Sequence, residues 1–274
     1  MTDSSTSNTP VDREKTAHQC PNSVTAAQNK WGVEFPYSVA ATSFVVPAGA
    51  AENAVYLANR FPEIALLFFE ADACLNYTEA DLPPSMAELP LSWHVHMPLD
   101  FDWADGLNVI WHKIDGLIDK AAFLSPHSYV LHPPTEPDML VPLAARLRDK
   151  GVDPASFLVE NIRGYNLTPI WDEIREGGYS ACLDIGHIQA YNQFDVLDLP
   201  DLWQHVQMLH IYGAEKRMQH RPLSEMDKAG QDLLRTMLDK FTGRTLTLEL
   251  FNEQGLFRSL DLLGQWVSDW RKEQ

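Results

Sequence analysis

Ala181-Cys182-Leu183-Asp184-Ile185-Gly186-His187 is the stretch on which the fold assignment turns. A short apolar run ends in an acid, and a histidine follows three residues later. A strand through this run carries Asp184 to its C-terminal end, and the turn beyond brings His187 to the same place. Acids and histidines are common just past strands, so the stretch gains weight only by repetition along the chain.

Working outward, the repetition is present. Ile64 to Phe69 is a continuous apolar run that stops at Glu70, as expected of a strand buried on both faces. Leu91 to Met97 (LSWHVHM) carries His94 and His96 on one face by strand alternation. Tyr129 to Leu131 leads to His132, with Pro133-Pro134 closing the strand. Ser156 to Val159 leads to Glu160, Val206 to Leu209 to His210, and Leu246 to Leu248 to Glu249. Tyr37 to Val46, rich in β-branched and aromatic residues, is the first strand.

Helical patterns fill the intervals. They run over Gly49 to Phe61, Ala104 to Phe123, Asp138 to Lys150, Thr168 to Glu176, Pro200 to His205, Ser224 to Phe241 and Leu256 to Trp270. The clearest puts Leu107, Ile110, Trp111, Ile114, Leu117, Ile118 and Ala121 on one stripe and leaves His112 solvated. Ser224 is the expected N-cap of its helix. The Pro-rich link from Thr78 to Leu89 holds at most a short or broken helix.

Strand ends thus fall near 44, 70, 96, 132, 160, 184, 210 and 249, and each interval between them fits one helix and its loops. Eight such units over about 230 residues predict a (β/α)8 TIM barrel, an α/β fold. A doubly wound open sheet is the rival. It is opposed by the lack of a GxGxxG after the first strand and by chemistry spread over many strand ends rather than one crevice.

The chain has 274 residues, 45% of them hydrophobic, enough for one large domain. Residues 35–274 read as a single barrel. Residues 1–34 are polar, without a hydrophobic period, and read as an irregular N-terminal tail in which His18 and Cys20 are incidental. The net charge is −17, from 21 basic against 38 acidic residues, which opposes sequence-independent binding to a phosphate backbone. Cys20, Cys74 and Cys182 share no CxxC spacing, so neither a zinc knuckle nor a disulfide framework is indicated. No 18-residue apolar run and no secretory signal pattern is present, and the expectation is a cytoplasmic protein that binds neither membrane nor nucleic acid.

The polar groups at the strand ends are His96, His132, Glu160, Asp184, His187, His210 and Glu249. A charge at a barrel mouth needs water, another charge or a metal to compensate it. Four acid or imidazole donors complete one divalent site, and seven provide for more than one. Mixed imidazole and carboxylate donors without thiolate suit Zn²⁺, Mn²⁺ or Fe. Each residue taken singly has a plainer reading: a hydrogen-bonded histidine, Glu160 paired with Arg163, Glu70 as an ordinary charged strand end, Cys182 as a small core residue, His205 as structural, His94 as support for His96. Six strand ends in succession are not covered by such readings.

The order His96-Met97-Pro98, His132-Pro133, Glu160-Asn161, Asp184-x-x-His187, His210, His220 and Glu249 resembles the xylose-isomerase-like barrels of the endonuclease-four type, over roughly residues 37–270. The resemblance implies one ion on His96, His132 and Glu160, and a second on Glu160, Asp184, His210 and Glu249. It implies a third on His187 and His220, but Met218 stands where that family has an aspartate, which puts this ion in doubt. Two or three divalent ions per chain are therefore expected, with Glu160, His187 and His220 as the catalytic groups. The segment HVHMPLDFDW, His94 to Trp103, is most similar to the cobamide-remodelling phosphodiesterases. That narrower likeness implies hydrolysis of the nucleotide-loop phosphodiester of a corrinoid to cobinamide phosphate. Trp93, Trp103, Tyr165 and Tyr191 are candidates to line a pocket for a flat ligand. The alternative is a sugar isomerase or epimerase with a single ion on Glu160, Asp184, His210 and Glu249, in which His96 and His132 contact substrate and the acids move protons. An abasic-site DNA endonuclease fits the donor set but not the charge. A non-catalytic binding barrel leaves the donors unexplained.

Overall fold

A computed structural model describes residues 35–217 and 219–273. Eight strands form a closed, all-parallel barrel in the order β1-β10-β7-β6-β5-β4-β3-β2. They are β1 (Ser38–Thr42), β2 (Glu63–Leu67), β3 (Ser92–His96), β4 (Tyr129–Leu131), β5 (Phe157–Glu160), β6 (Ser180–Asp184), β7 (Val206–Ile211) and β10 (Thr245–Leu248). The (β/α)8 expectation holds. Closure leaves no unpaired strand edge, and helices cover the outside, so the strands are buried on both faces and are written as unbroken apolar runs. No helix among the described residues is long and apolar enough to cross a membrane.

Alternation sorts each strand into two sets. Outward residues such as Val39, Ile64, Val95, Val159 and Leu209 pack under the helices in one large core. Inward residues Val130, Leu158, Cys182 and Met208 form a separate small cluster that plugs the barrel. Cys182 is thus a core residue, fully buried. One step further along the same strands come His132, Glu160, Asp184 and His210, at the C-terminal mouth.

The helices are α1 (Ala50–Leu57), α2 (Ala71–Leu75), α3 (Leu107–Ala121), α4 (Leu140–Lys150), α5 (Trp171–Gly177), α6 (Ile185–Ala190), α7 (Leu202–His205), α8 (Lys228–Lys240) and α9 (Glu253–Lys272). In α3 the 3–4 spacing buries Ile110, Ile114, Leu117, Ile118 and Ala121 and leaves His112 exposed. Each such large apolar side chain contributes about 1.5–3 kcal/mol by leaving water.

Several boundaries differ from the sequence expectation. β1 and β2 end at Thr42 and Leu67, so Glu70 is not a strand end but the residue before α2, a short helix that the sequence pattern does not reveal. The turn expected after Asp184 is the start of a helix: the Asp184 carboxylate accepts from the His187 amide at 2.7 Å and caps α6. Ser224 does not cap its helix. It lies in a single 3-10 turn, and Asp227 caps α8 by accepting from the Gly230 amide. The segment between His210 and Ser224, for which the sequence pattern gives neither strand nor helix, contains a hairpin, β8 (Ala214–Lys216) and β9 (Gln219–Arg221). Gly213 makes its base possible, because a Cβ there would lie 1.8 Å from the Pro222 carbonyl oxygen. The expectation for residues 1–34 and the doubt attached to Met218 lie outside the described residues.

Candidate metal centre

The strand ends gather His96, His132, Glu160, Asp184, His210 and Glu249 at one mouth, as their successive positions require. Glu160 is at the centre, buried, with imidazoles on both oxygens. His96 Nε2 is 3.2 Å and His132 Nε2 3.5 Å from Oε2, while His210 Nδ1 is 2.8 Å from Oε1. Glu160 therefore does not depend on Arg163, whose guanidinium faces the Tyr191 ring. Glu249 stands beside them, its Oε2 3.4 Å from His210 Nδ1 and its Oε1 3.9 Å from His96 Nε2.

Donor atoms of His96, His132 and Glu160 lie within 4.8 Å of one another, and so do those of Glu160, Asp184, His210 and Glu249. The two sets share only Glu160. His187 and His220 fall outside both. They approach each other at 6.0 Å between ring centroids, and His220 stacks on Tyr212 at 3.8 Å.

Tautomers are fixed from behind. His96 Nδ1 donates to the Met97 carbonyl at 2.9 Å, His187 Nδ1 to the Asn161 carbonyl at 3.0 Å, and His220 Nδ1 to the Glu249 carbonyl at 3.0 Å. A carbonyl only accepts, so each Nδ1 carries the hydrogen and each neutral ring keeps its lone pair on Nε2. For His96 and His187 that lone pair points toward a carboxylate. Two lone pairs face to face need a proton or a cation between them, and a back-bonded imidazole is the usual arrangement of a metal ligand.

Sequence reasoning missed Glu215. It lies on β8 opposite His220 on β9, and its Oε2 is 3.4 Å from His187 Nε2. The Tyr191 hydroxyl donates to its other oxygen. No strand-end signal marks Glu215, because the hairpin that presents it is an insertion between barrel strands. Asn161, directly after Glu160, carries no strand-end signal of its own. It braces the mouth, accepting from the Asp184 amide at 2.8 Å and donating to Gln193 Oε1 at 3.0 Å. Of the four aromatic candidates, Trp93 and Trp103 are core residues, Tyr165 is exposed, and Tyr191 is engaged with Glu215.

The electrostatics divide the acids. Burial pushes Glu160, Asp184 and Glu249 toward their neutral forms. At Glu160 the opposing effect of His210, His132 and His96 wins, and its pKa lies well below the ordinary range. At Glu249, His210 and His220 likewise overcome burial and hold the group at about 2. At Asp184 burial wins: His187 lowers it, but Glu160 and Glu249 add repulsion, and the group is pushed up to about 6. His210 is raised well above its usual value, since Cys182, Glu160 and Glu249 outweigh its burial, and His96 is raised by Glu160 and Glu249 in the same way. Asp184 Oδ2, Glu215 Oε2 and Glu249 Oε2 are buried without a hydrogen-bond partner. Unpaired buried carboxylate oxygens are what a divalent cation would satisfy, so the donor set fits one. The set contains no thiolate, and its imidazole and carboxylate donors suit Zn²⁺, Mn²⁺ or Fe.

No family model matches the sequence, and no curated protein matches it. Solved structures do. A D-tagatose 3-epimerase-like protein is similar with a TM-score of 0.67 at 16% identity, over 86% of this chain and 99% of that one. A 3-keto-D-glucoside 4-epimerase from E. coli gives 0.59 at 15% identity, over 85% and 99%. A xylose isomerase domain containing protein from Salmonella typhimurium gives 0.58 at 16% identity, over 86% and 98%. At these identities the likeness is one of fold alone, a (β/α)8 barrel.

Proposed function

We propose that the chain is a divalent-metal-dependent enzyme that moves a proton at the carbon beside a sugar carbonyl, an isomerase or epimerase. The observation that carries this reading is the complete four-donor set of Glu160, Asp184, His210 and Glu249, with donor atoms within 4.8 Å of one another. The epimerases of the same fold support it. The ion, when bound, supplies Lewis-acid polarisation of a substrate oxygen. Glu160 and Glu249, both held ionised, are placed to take and return the proton at carbon. His132 and His187, each partly exposed, orient substrate oxygens, and His220 stacks behind them on Tyr212. The partner is a small molecule, since the −17 charge repels nucleic acid and anionic membrane alike.

A second reading is favoured by one specific observation. His96 and His132 converge on Glu160 Oε2 and make a further three-donor set. Two ions sharing Glu160 would suit phosphodiester hydrolysis, and the HVHMPLDFDW likeness makes the nucleotide loop of a cobamide the substrate to try.

The test is to incubate the metal-loaded protein with ketopentoses and ketohexoses in D2O, and in parallel with several cobamides. The isomerase reading predicts deuterium entering the sugar beside the carbonyl, abolished by chelation. Release of cobinamide phosphate without sugar exchange would replace it by the hydrolase reading.

A further inference from the structure

A second cluster of donors lies at the opposite end of the barrel. Glu63 opens β2, His94 is the inward residue one step below His96 on β3, and His127 precedes β4. His94 Nδ1 is 2.7 Å and His127 Nε2 2.9 Å from the same oxygen, Glu63 Oε1. Thr245 Oγ1, from the start of β10, donates to that oxygen too, at 3.0 Å. Three groups therefore converge on an atom with two lone pairs. The other oxygen, Oε2, receives only contacts of 3.3 Å from Ser92 and Thr245. A hydrogen-bond network built for economy would spread its donors over both oxygens. Two imidazole nitrogens aimed at one carboxylate oxygen instead form the donor triangle of a cation.

The triangle also has an entrance. A cavity of about 490 Å³ opens on this end of the barrel, with His127, Ser128, Leu158, Gln207 and Arg244 in its wall. Ser128 Oγ is buried there without a hydrogen-bond partner. His127 bridges the two features, since it lines the cavity and touches Glu63, while Glu63 and His94 are sealed inside. An ion arriving through the cavity would meet His127 first and could keep one or more positions for water on the cavity side.

We propose that Glu63, His94 and His127 form a second divalent-cation site at the N-terminal floor of the barrel, separate from the mouth and structural in role. Donor distances to zinc of about 2.0–2.1 Å require the three atoms to part by roughly half an ångström from their hydrogen-bonded spacing. The ion ties β2, β3 and the segment entering β4 together, and its binding energy adds to stability. It has no part in turnover, because the plug of Val130, Leu158, Cys182 and Met208 stands between floor and mouth.

The test uses cobalt and zinc on the full chain. His127→Gln is the informative variant, because the side chain is partly exposed and glutamine can still donate to Glu63. Glu160→Ala serves as the background that empties the mouth, since Glu160 is the donor common to both mouth sets. The proposal expects Glu160→Ala to retain one cobalt per chain with a visible spectrum of a nitrogen- and oxygen-ligated ion, and His127→Gln added to it to abolish that spectrum. It also expects His127→Gln alone to lose part of the zinc-dependent rise in melting temperature without losing activity. Cobalt absent from Glu160→Ala, or an unchanged ion count and spectrum in the double variant, would overturn it. Should the double variant fail to fold, the X-ray absorption spectrum of cobalt in Glu160→Ala decides instead: two imidazoles around the ion uphold the site, and a shell without imidazole rejects it.

Discussion

The mouth and the floor of this barrel each bury a carboxylate among imidazoles, yet they are built to different ends. At the floor Glu63 is the one acid, and His94, His127, Ser92 and Thr245 all donate to it. At the mouth Glu160 is joined by Asp184, Glu215 and Glu249, and an oxygen of each of these three lacks a hydrogen-bond partner. The floor sets one acid against two imidazoles, a donor set for a single structural ion, whereas the mouth carries more acid than its protein partners can satisfy. A surplus of this kind destabilises the metal-free fold and is retained where a ligand completes it. The same residue types therefore serve cohesion at one end and chemistry at the other.

The widest separation should come from conservative substitutions of the two central acids. Glu160→Gln is expected to lower the rate by roughly 10²–10⁴-fold in steady-state kinetics, as for loss of a general acid–base group, and to weaken both donor sets. Glu63→Gln is expected to leave the rate per folded molecule unchanged. Its cost falls on stability, about 1–3 kcal/mol in denaturant unfolding, because it removes a carboxylate oxygen on which His94, His127 and Thr245 converge and leaves buried donors unmatched. Full activity in Glu160→Gln, or a rate loss in Glu63→Gln matching that of Glu160→Gln, would erase the distinction.

A smaller effect is expected at Gly186, between the capping Asp184 and His187. A Cβ there would lie 2.1 Å from the Tyr212 ring, so Gly186→Ala must displace α6 and the imidazole it carries. The expected cost is about 1–3 kcal/mol of stability, as for overpacking, with reduced activity. An unchanged melting temperature would show that the mouth is looser than its packing implies.

The smallest effect concerns pH and sharpens the contrast within the metal-free protein. Asp184 has a folded pKa of about 6, above its unfolded value of ~3.9. The folded state thus binds this proton more tightly, and the group's contribution to stability falls as pH rises from about 4 to 6 and is constant above that. Ion affinity runs the other way, rising through the same window because the ion must displace the proton. Asp184→Asn, which can keep the cap on the His187 amide, should flatten the metal-free slope in unfolding measured at several pH values. An unaltered slope would mean that another group titrates there.

The barrel was legible in the sequence because a parallel barrel buries both faces of each strand, so its strands are written as apolar runs. The mouth was legible for the same reason: Asp184, His210 and Glu249 interrupt apolar runs at strand ends, where such groups require compensation. Glu215 was not, because the hairpin carrying it has no core face to impose a pattern, and its tie to His187 depends on a register that only folding creates. Glu63 escaped because it opens a strand directly after Pro62, where an acid reads as ordinary loop polarity. Ser224 reads as a cap because a serine before a helical pattern is a sound local signal, but Asp227, three residues on, provides that bond instead.

The most direct test of the account is to count ions by elemental analysis and measure turnover on one zinc-loaded sample each of the wild type and Asp184→Asn. The account predicts that the variant holds fewer ions than the wild type and that its activity falls in proportion. A variant that keeps the full complement of ions and the full rate would contradict it.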